Sequence, residues 1–80
     1  MADYVVYALE SEQDGRIYVG MTTNMEKRLL EHNSGITKST KGFRPWKLIF
    51  TEEAKSRVQA REREKYWKSG CGKEQLKKLS

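Results

Sequence analysis

The chain holds one cysteine, Cys71, so no disulfide can form within it and no Cys-x-x-Cys pair exists. A lone thiol fits a reducing compartment. No apolar run reaches the roughly 18 residues that a membrane-crossing helix needs. The first residues, MADYVV, put no basic stretch ahead of an apolar segment, so no secretory signal is expected. These absences lead to the expectation of a cytoplasmic protein without membrane association. His-Glu-x-x-His, Walker-type and Gly-x-Ser-x-Gly patterns are missing as well. Zinc-protease, nucleotide-binding and serine-hydrolase chemistry therefore lose their usual grounds.

What is present is charge. Of 80 residues 34% are charged and 36% hydrophobic, with a net charge of +5. A chain this short builds one core, so residues 1–80 are read as a single domain. The charge is uneven: residues 1–20 carry −3 and residues 35–50 carry +4. A concentrated basic stretch favours a polyanionic partner.

Two apolar runs, residues 4–9 and 16–20, flank a polar turn in which Asp14-Gly15 can supply positive φ. A β-hairpin follows from this pattern. In "TTNMEKRLLEHNSG", Thr23 and Glu26 read as a capping box. Met25 and Leu29 share a helix face there, and Asn33-Ser34-Gly35 ends the helix. Residues 36–45, "ITKSTKGFRP", have no period and read as a basic loop. "WKLIFTE", residues 46–52, reads as a third strand, and residues 55–69 as a long charged helix. A Gly-rich break and a short terminal helix complete the order ββαβα plus a C-terminal helix. This is an α+β architecture, a three-stranded antiparallel sheet flanked by helices.

Few side chains here suit chemistry. Tyr7 and Tyr18 each lie on a hairpin strand, and Gly20 ends the second strand with room for a close approach. From the pattern alone, packing is the better explanation of both tyrosines. Arg28 and His32 are four residues apart and flank the Met25/Leu29 stripe, which puts them at the core's edge. Arginine suits phosphate, because its fork donates two hydrogen bonds at once. Histidine suits proton transfer near neutral pH, but a helix-end histidine can also simply answer the dipole. Glu64 lies between Ala60 and Trp67 on one helix face and needs a partner there. Arg57 and Lys68 are at helical spacing from it, and a hard cation such as Mg²⁺ is the other choice. Lys38, Lys41, Arg44 and Lys47 cluster in ten residues with Phe43 and Trp46 among them, a mixture that suits nucleic acid. Trp46 on its own reads as core.

Together these residues resemble the GIY-YIG nuclease domain family, in its small stand-alone bacterial branch, related to the nuclease domain of the excision-repair subunit UvrC. The first signature tripeptide stands as Val5-Val6-Tyr7 and the second as Tyr18-Val19-Gly20, with ten residues between them. The family's helix Arg, followed four residues on by His or Tyr, matches Arg28 and His32 in "EKRLLEHNSG". Its metal-binding Glu matches Glu64 in "SRVQAREREKYWKSG", followed by Lys68. The "STKGFRPWKL" loop and the "KSGCGKE" tail extend the likeness over essentially the whole chain. The first tripeptide has Val5 in place of glycine, a change this branch tolerates. Met21 stands where excision-repair members have lysine, so His32 becomes the more attractive proton acceptor. Glu62 is a rival for the metal position, about 160° round the helix from Glu64.

The resemblance implies the GIY-YIG fold and an endonuclease that hydrolyses phosphodiester bonds in DNA, RNA being a second candidate substrate, with a link to repair or recombination. It implies one divalent cation, Mg²⁺ or Mn²⁺, held by Glu64. Arg28 would hold a phosphate oxygen. Tyr7 or Tyr18 would activate water, with His32 taking the proton. Lys38, Lys41, Arg44, Lys47 and Lys68 would contact the nucleic acid. A domain this small has little surface for base readout, so selectivity would come from DNA structure, a protein partner or a dimer. A catalytically silent binding module and a partner-dependent repair subunit are the alternatives.

Overall fold

The structure is a computed structural model and describes residues 4–38 and 40–79. Strands β1 (Tyr4–Ser11) and β2 (Ile17–Thr22) are followed by helix α1 (Met25–Ser34), a 3₁₀ turn (Lys41–Phe43), strand β3 (Trp46–Ala54) and helices α2 (Arg57–Lys68) and α3 (Gly70–Lys77). The three strands form one antiparallel sheet in the order β2-β1-β3. The α+β reading with three antiparallel strands and three helices thus holds.

β1 is the central strand and is covered on both faces. Its residues 6–9 are all buried, so the run Val6-Tyr7-Ala8-Leu9 cannot alternate apolar with polar. Side chains still alternate in direction. Val6 and Ala8 join Ile17, Val19, Ala54, Ala60, Trp67 and Leu76 in one core, roofed by α2 and α3. Tyr7 and Leu9 join Trp46 in a second core, with Tyr18, Met25, Leu29 and Phe43 packed against it. The sheet therefore divides the chain into a purely apolar face and a face rich in polar aromatics.

Local signals place the ends of the elements. The hairpin turn closes with Gly15 at φ 77, the positive value expected of Asp14-Gly15. The Ser11 hydroxyl ties this turn to the loop by donating to the Phe43 carbonyl at 2.7 Å. α1 ends at Gly35, whose N–H donates to the Glu31 carbonyl. Its start differs from expectation. Asn24, not Thr23, is the N-cap, and its side-chain oxygen accepts from the Lys27 N–H at 3.1 Å. Thr22 takes up Asn24 instead, its hydroxyl oxygen accepting from the Asn24 N–H. The helix therefore begins one residue later than a Thr23–Glu26 box would allow.

α2 starts at Ser56, which caps Gln59, and is two residues shorter at its start than the charge pattern suggested. It is pinned to β3 by Arg63, whose guanidinium donates twice to the Glu52 carboxylate, at 2.7 Å and 3.2 Å. The Trp67 indole N–H donates to the same carboxylate. This two-pronged contact fixes the rotation of α2 about its axis, and with it the direction of Glu64 next to Arg63.

Candidate active site

The second face of the sheet brings together β1, β2, α1 and the loop before β3. At its centre is Tyr7, 1% exposed. Its ring needs space on β2, and Gly20 is the residue directly opposite in the strand pairing. A Cβ at Gly20 would lie 2.5 Å from the Tyr7 hydroxyl and 2.7 Å from Cζ. The close approach that Gly20 allows is therefore made by Tyr7 itself.

The Tyr7 hydroxyl meets two groups from α1, one turn apart. It stands 3.0 Å from His32 Nε2, and Arg28 Nε donates to it at 3.3 Å. His32 is fully buried, and its Nδ1 lies 2.8 Å from the Thr40 hydroxyl. The Thr40 hydroxyl already donates to the Thr37 carbonyl at 3.3 Å. With that donation kept, its oxygen is the acceptor for His32, which assigns the imidazole proton to Nδ1. Nε2 is then a bare lone pair that accepts from the Tyr7 O–H. The result is a directed chain: Tyr7 donates to His32, His32 to Thr40, and Thr40 to the backbone.

Electrostatics keep both titrating members neutral at rest. Burial raises the Tyr7 pKa above the ordinary phenol value, and the charges of Tyr18 and Glu64 push the same way. The hydrogen bond and charge of Arg28 pull it back in part. Burial lowers the His32 pKa below the ordinary imidazole value, the Arg28 charge lowers it further, and Glu31 opposes them. A neutral phenol facing a neutral imidazole can exchange a proton without a net change of charge inside the site.

Arg28 is anchored by Nη1 to Glu31 at 3.1 Å and by Nε to Tyr7. Its remaining Nη2 has no partner among the described residues and is free for an incoming oxyanion. Tyr18 is half-buried and packs edge-on against His32, ring centroids 5.0 Å apart. Its ring is 6.4 Å from that of Tyr7, and its hydroxyl makes no hydrogen bond to a described residue. The proton chain passes through Tyr7 and leaves Tyr18 as its aromatic neighbour.

Glu64 lies on α2, and its charge acts on the Tyr7 phenol. Its side chain is 15% exposed, and its Oε2 lies 3.5 Å from Lys68 Nζ. Lys68 is thus the partner at helical spacing, and Arg57 is not. Glu62 is exposed and lines a shallow pocket with Val58 and Lys65, bordered by Arg57 and Arg61. Among the described residues no three His, Cys, Asp or Glu side chains gather to hold a metal. One partly buried carboxylate is a donor set that fits a hard, hydrated cation such as Mg²⁺, completed by water and phosphate oxygens. It does not fit a tetrahedral zinc centre.

The basic loop divides by role. Lys38, Lys41 and Lys47 are exposed. Arg44 is tethered, its Nε donating to the Lys41 carbonyl at 2.8 Å. The interleaved aromatics are structural: Trp46 is buried and donates its indole N–H to the Thr40 carbonyl at 2.8 Å, and Phe43 lies 3.5 Å beneath the Arg16 guanidinium. Thr40 is the site residue that sequence reasoning missed. It sits in an aperiodic loop, and only the folded path of residues 36–45 carries it to His32.

Comparisons with known proteins show what the chain is similar to. A family model described as the GIY-YIG catalytic domain matches residues 3–78. A UPF0213 protein of Natronomonas pharaonis is 44% identical over 69 residues, covering 85% of this chain and 80% of its own. One from Staphylococcus haemolyticus is 36% identical over 80 residues, covering 99% and 96%. The solution NMR structure of a UPF0213 protein from Bacillus halodurans superposes with a TM-score of 0.57 at 38% identity, covering 96% of this chain and 84% of that one. The human structure-specific endonuclease subunit SLX1 is 38% identical over 50 residues, which span 58% of this chain but only 18% of that longer protein.

Proposed function

Because this chain belongs to the family of GIY-YIG catalytic domains, we propose that it is an endonuclease that hydrolyses phosphodiester bonds in DNA, selecting its substrate by structure and serving repair or recombination. The observation that carries the reading is the buried hydrogen-bonded chain that links Tyr7, His32 and Thr40, with Arg28 on the phenol oxygen. A purely structural tyrosine has no need of a buried imidazole held in one tautomer.

The chemistry follows from the geometry. The Tyr7 proton points at His32, so the phenol oxygen keeps a lone pair for a water molecule. As the water oxygen bonds to phosphorus and the bond from phosphorus to the leaving oxygen breaks, the water proton passes to Tyr7 and the Tyr7 proton to His32 Nε2, while the leaving oxygen takes a proton from solvent. Thr40 then stabilises the imidazolium through the Nδ1–H bond, and Arg28 restrains negative charge on the phenol oxygen. The free Nη2 of Arg28 holds a non-bridging phosphate oxygen as charge develops there. A divalent cation, Mg²⁺ or Mn²⁺, bound at Glu64 would supply further neutralisation of the phosphate and stabilise the leaving oxygen. Lys68 balances Glu64 until that cation binds.

The human relative SLX1 is a structure-specific endonuclease subunit, which supports the structure-selective part and a partner protein for this chain. A test uses plasmid, single-stranded, flap and branched DNA and a matching RNA, each with Mg²⁺, Mn²⁺ or EDTA. Cleavage that needs the cation and disappears in Glu64→Ala supports the enzyme. Binding to every substrate with cleavage of none would leave a nucleic-acid-binding module.

A further inference from the structure

A groove of about 650 Å³ opens beside the site, between the start of α1 and the start of α2. Arg28 forms part of its wall, so it is continuous with the Tyr7 cluster. Three more cations, Lys27, Arg57 and Arg61, line it, and its one carboxylate, Glu31, is already paired with Arg28. The side chains of Lys27, Arg57 and Arg61 have no ion pair or hydrogen bond among the described residues. Like charges gathered in one concavity, with Glu31 the single carboxylate among the described lining residues, raise each other's energy. Elsewhere the chain compensates its arginines: Arg16 pairs with Asp14 and Arg63 with Glu52. The basic-loop residues Lys38, Lys41, Arg44 and Lys47 do not line this groove.

We propose that this groove is the track for the substrate strand, binding the backbone phosphates next to the scissile one through Lys27, Arg57 and Arg61. The proposal rests on the nuclease reading for the identity of the strand. Arg28 sits where track and reaction centre meet, with Nε on Tyr7 and Nη2 free. Tyr4 adds an aromatic surface to the wall, of the kind on which a base stacks. Three flexible cations grip phosphates and no base edge, which fits recognition of structure and not of sequence. The strand's direction across the protein is then set by α1 and α2, and the basic loop lies off its path.

The experiment is a salt titration of binding, with a labelled single-stranded oligothymidylate in EDTA, so that no cleavage intervenes. The variants are Arg57→Gln/Arg61→Gln and, as the comparison, Lys41→Gln/Lys47→Gln. Both arginines are exposed and have no ion pair among the described residues, so thermal melting should match the wild type. The expected result is a salt slope lower by about 0.7 per lost contact, so about 1.4 in all, for the arginine double variant. The lysine double variant should keep the wild-type slope. An unchanged slope in the arginine variant, no salt-dependent binding by the wild type, or equal competition by polyglutamate would each overturn the track. Cleavage by the wild type is measured in parallel. Its absence, with the slope loss intact, would fail the nuclease reading and leave the track standing.

Discussion

The Tyr7 phenol occupies the space where a β-carbon of Gly20 would stand, 2.5 Å from the hydroxyl oxygen. The two residues are paired across β1 and β2, so neither can slide away without breaking the register. Gly20→Ala therefore forces the phenol off His32 and Arg28. The expected outcome is a loss of cleavage close to that of Tyr7→Phe, with a stability cost of about 1–3 kcal/mol from overpacking. Cleavage rates and urea unfolding of both variants check this. Full activity in Gly20→Ala would show that the phenol does not need this position.

Thr40 is a positioning residue, acting through His32. Thr40→Val keeps the shape but removes the acceptor for the Nδ1–H, leaving a buried donor unsatisfied at a cost of about 1–3 kcal/mol. The imidazole can then move its proton to Nε2 and cease to accept from Tyr7. Cleavage should fall in Thr40→Val, recover in Thr40→Ser, and fall furthest in His32→Asn, by roughly 10²–10⁴-fold. The ¹⁵N shifts of the His32 ring report the tautomer. If they are the same in Thr40→Val and the wild type, Thr40 does not set the proton's position.

How far the sequence reads depends on whether a residue lies in a periodic element. The hairpin, the third strand and the long helix follow from alternation and Gly punctuation, and the signature tyrosines, Arg28 and His32 converge because strand pairing and a single helix turn dictate it. Glu64 was singled out by an apolar neighbourhood that does not suit a lone carboxylate. Thr40 was illegible because loop residues have no period, and the Glu52–Arg63 contact because it joins residues eleven apart on different elements. The Thr23 cap failed for a local reason: Thr22, Thr23 and Asn24 all compete to cap the same helix, and the asparagine wins.

The buried histidine makes stability pH-dependent with a definite sign. Its folded pKa is lowered, mainly by burial and then by the Arg28 charge. The unfolded chain therefore binds the proton more readily, and stability rises with pH across that window. The contribution is complete above the ordinary imidazole value of about 6.5 and is lost as pH falls from there through the folded value. Urea midpoints between pH 8 and pH 5 should fall on the acid side, and His32→Asn should flatten the curve in that range. A protonated His32 also cannot accept from Tyr7, so cleavage should decline on the same side. An acid limb in stability that persists in His32→Asn would assign it to other groups.

Glu64 separates a functional charge from a structural one. Its only partner among the described residues is Lys68, at 3.5 Å with the lysine 54% exposed. An ion pair this open contributes little, at most about 1 kcal/mol. If the carboxylate served only that pair, Glu64→Gln and Lys68→Ala would be equally mild. If it holds the cation, the two diverge. Glu64→Gln should melt within a few degrees of the wild type, lose cleavage by at least about 10²-fold, and no longer respond to added Mg²⁺ or Mn²⁺. Lys68→Ala, which removes a competitor for the carboxylate, should bind Mn²⁺ more tightly, as read by paramagnetic broadening of the Tyr7 and Glu64 resonances. Equal cleavage by Glu64→Gln and the wild type would move the cation site off α2.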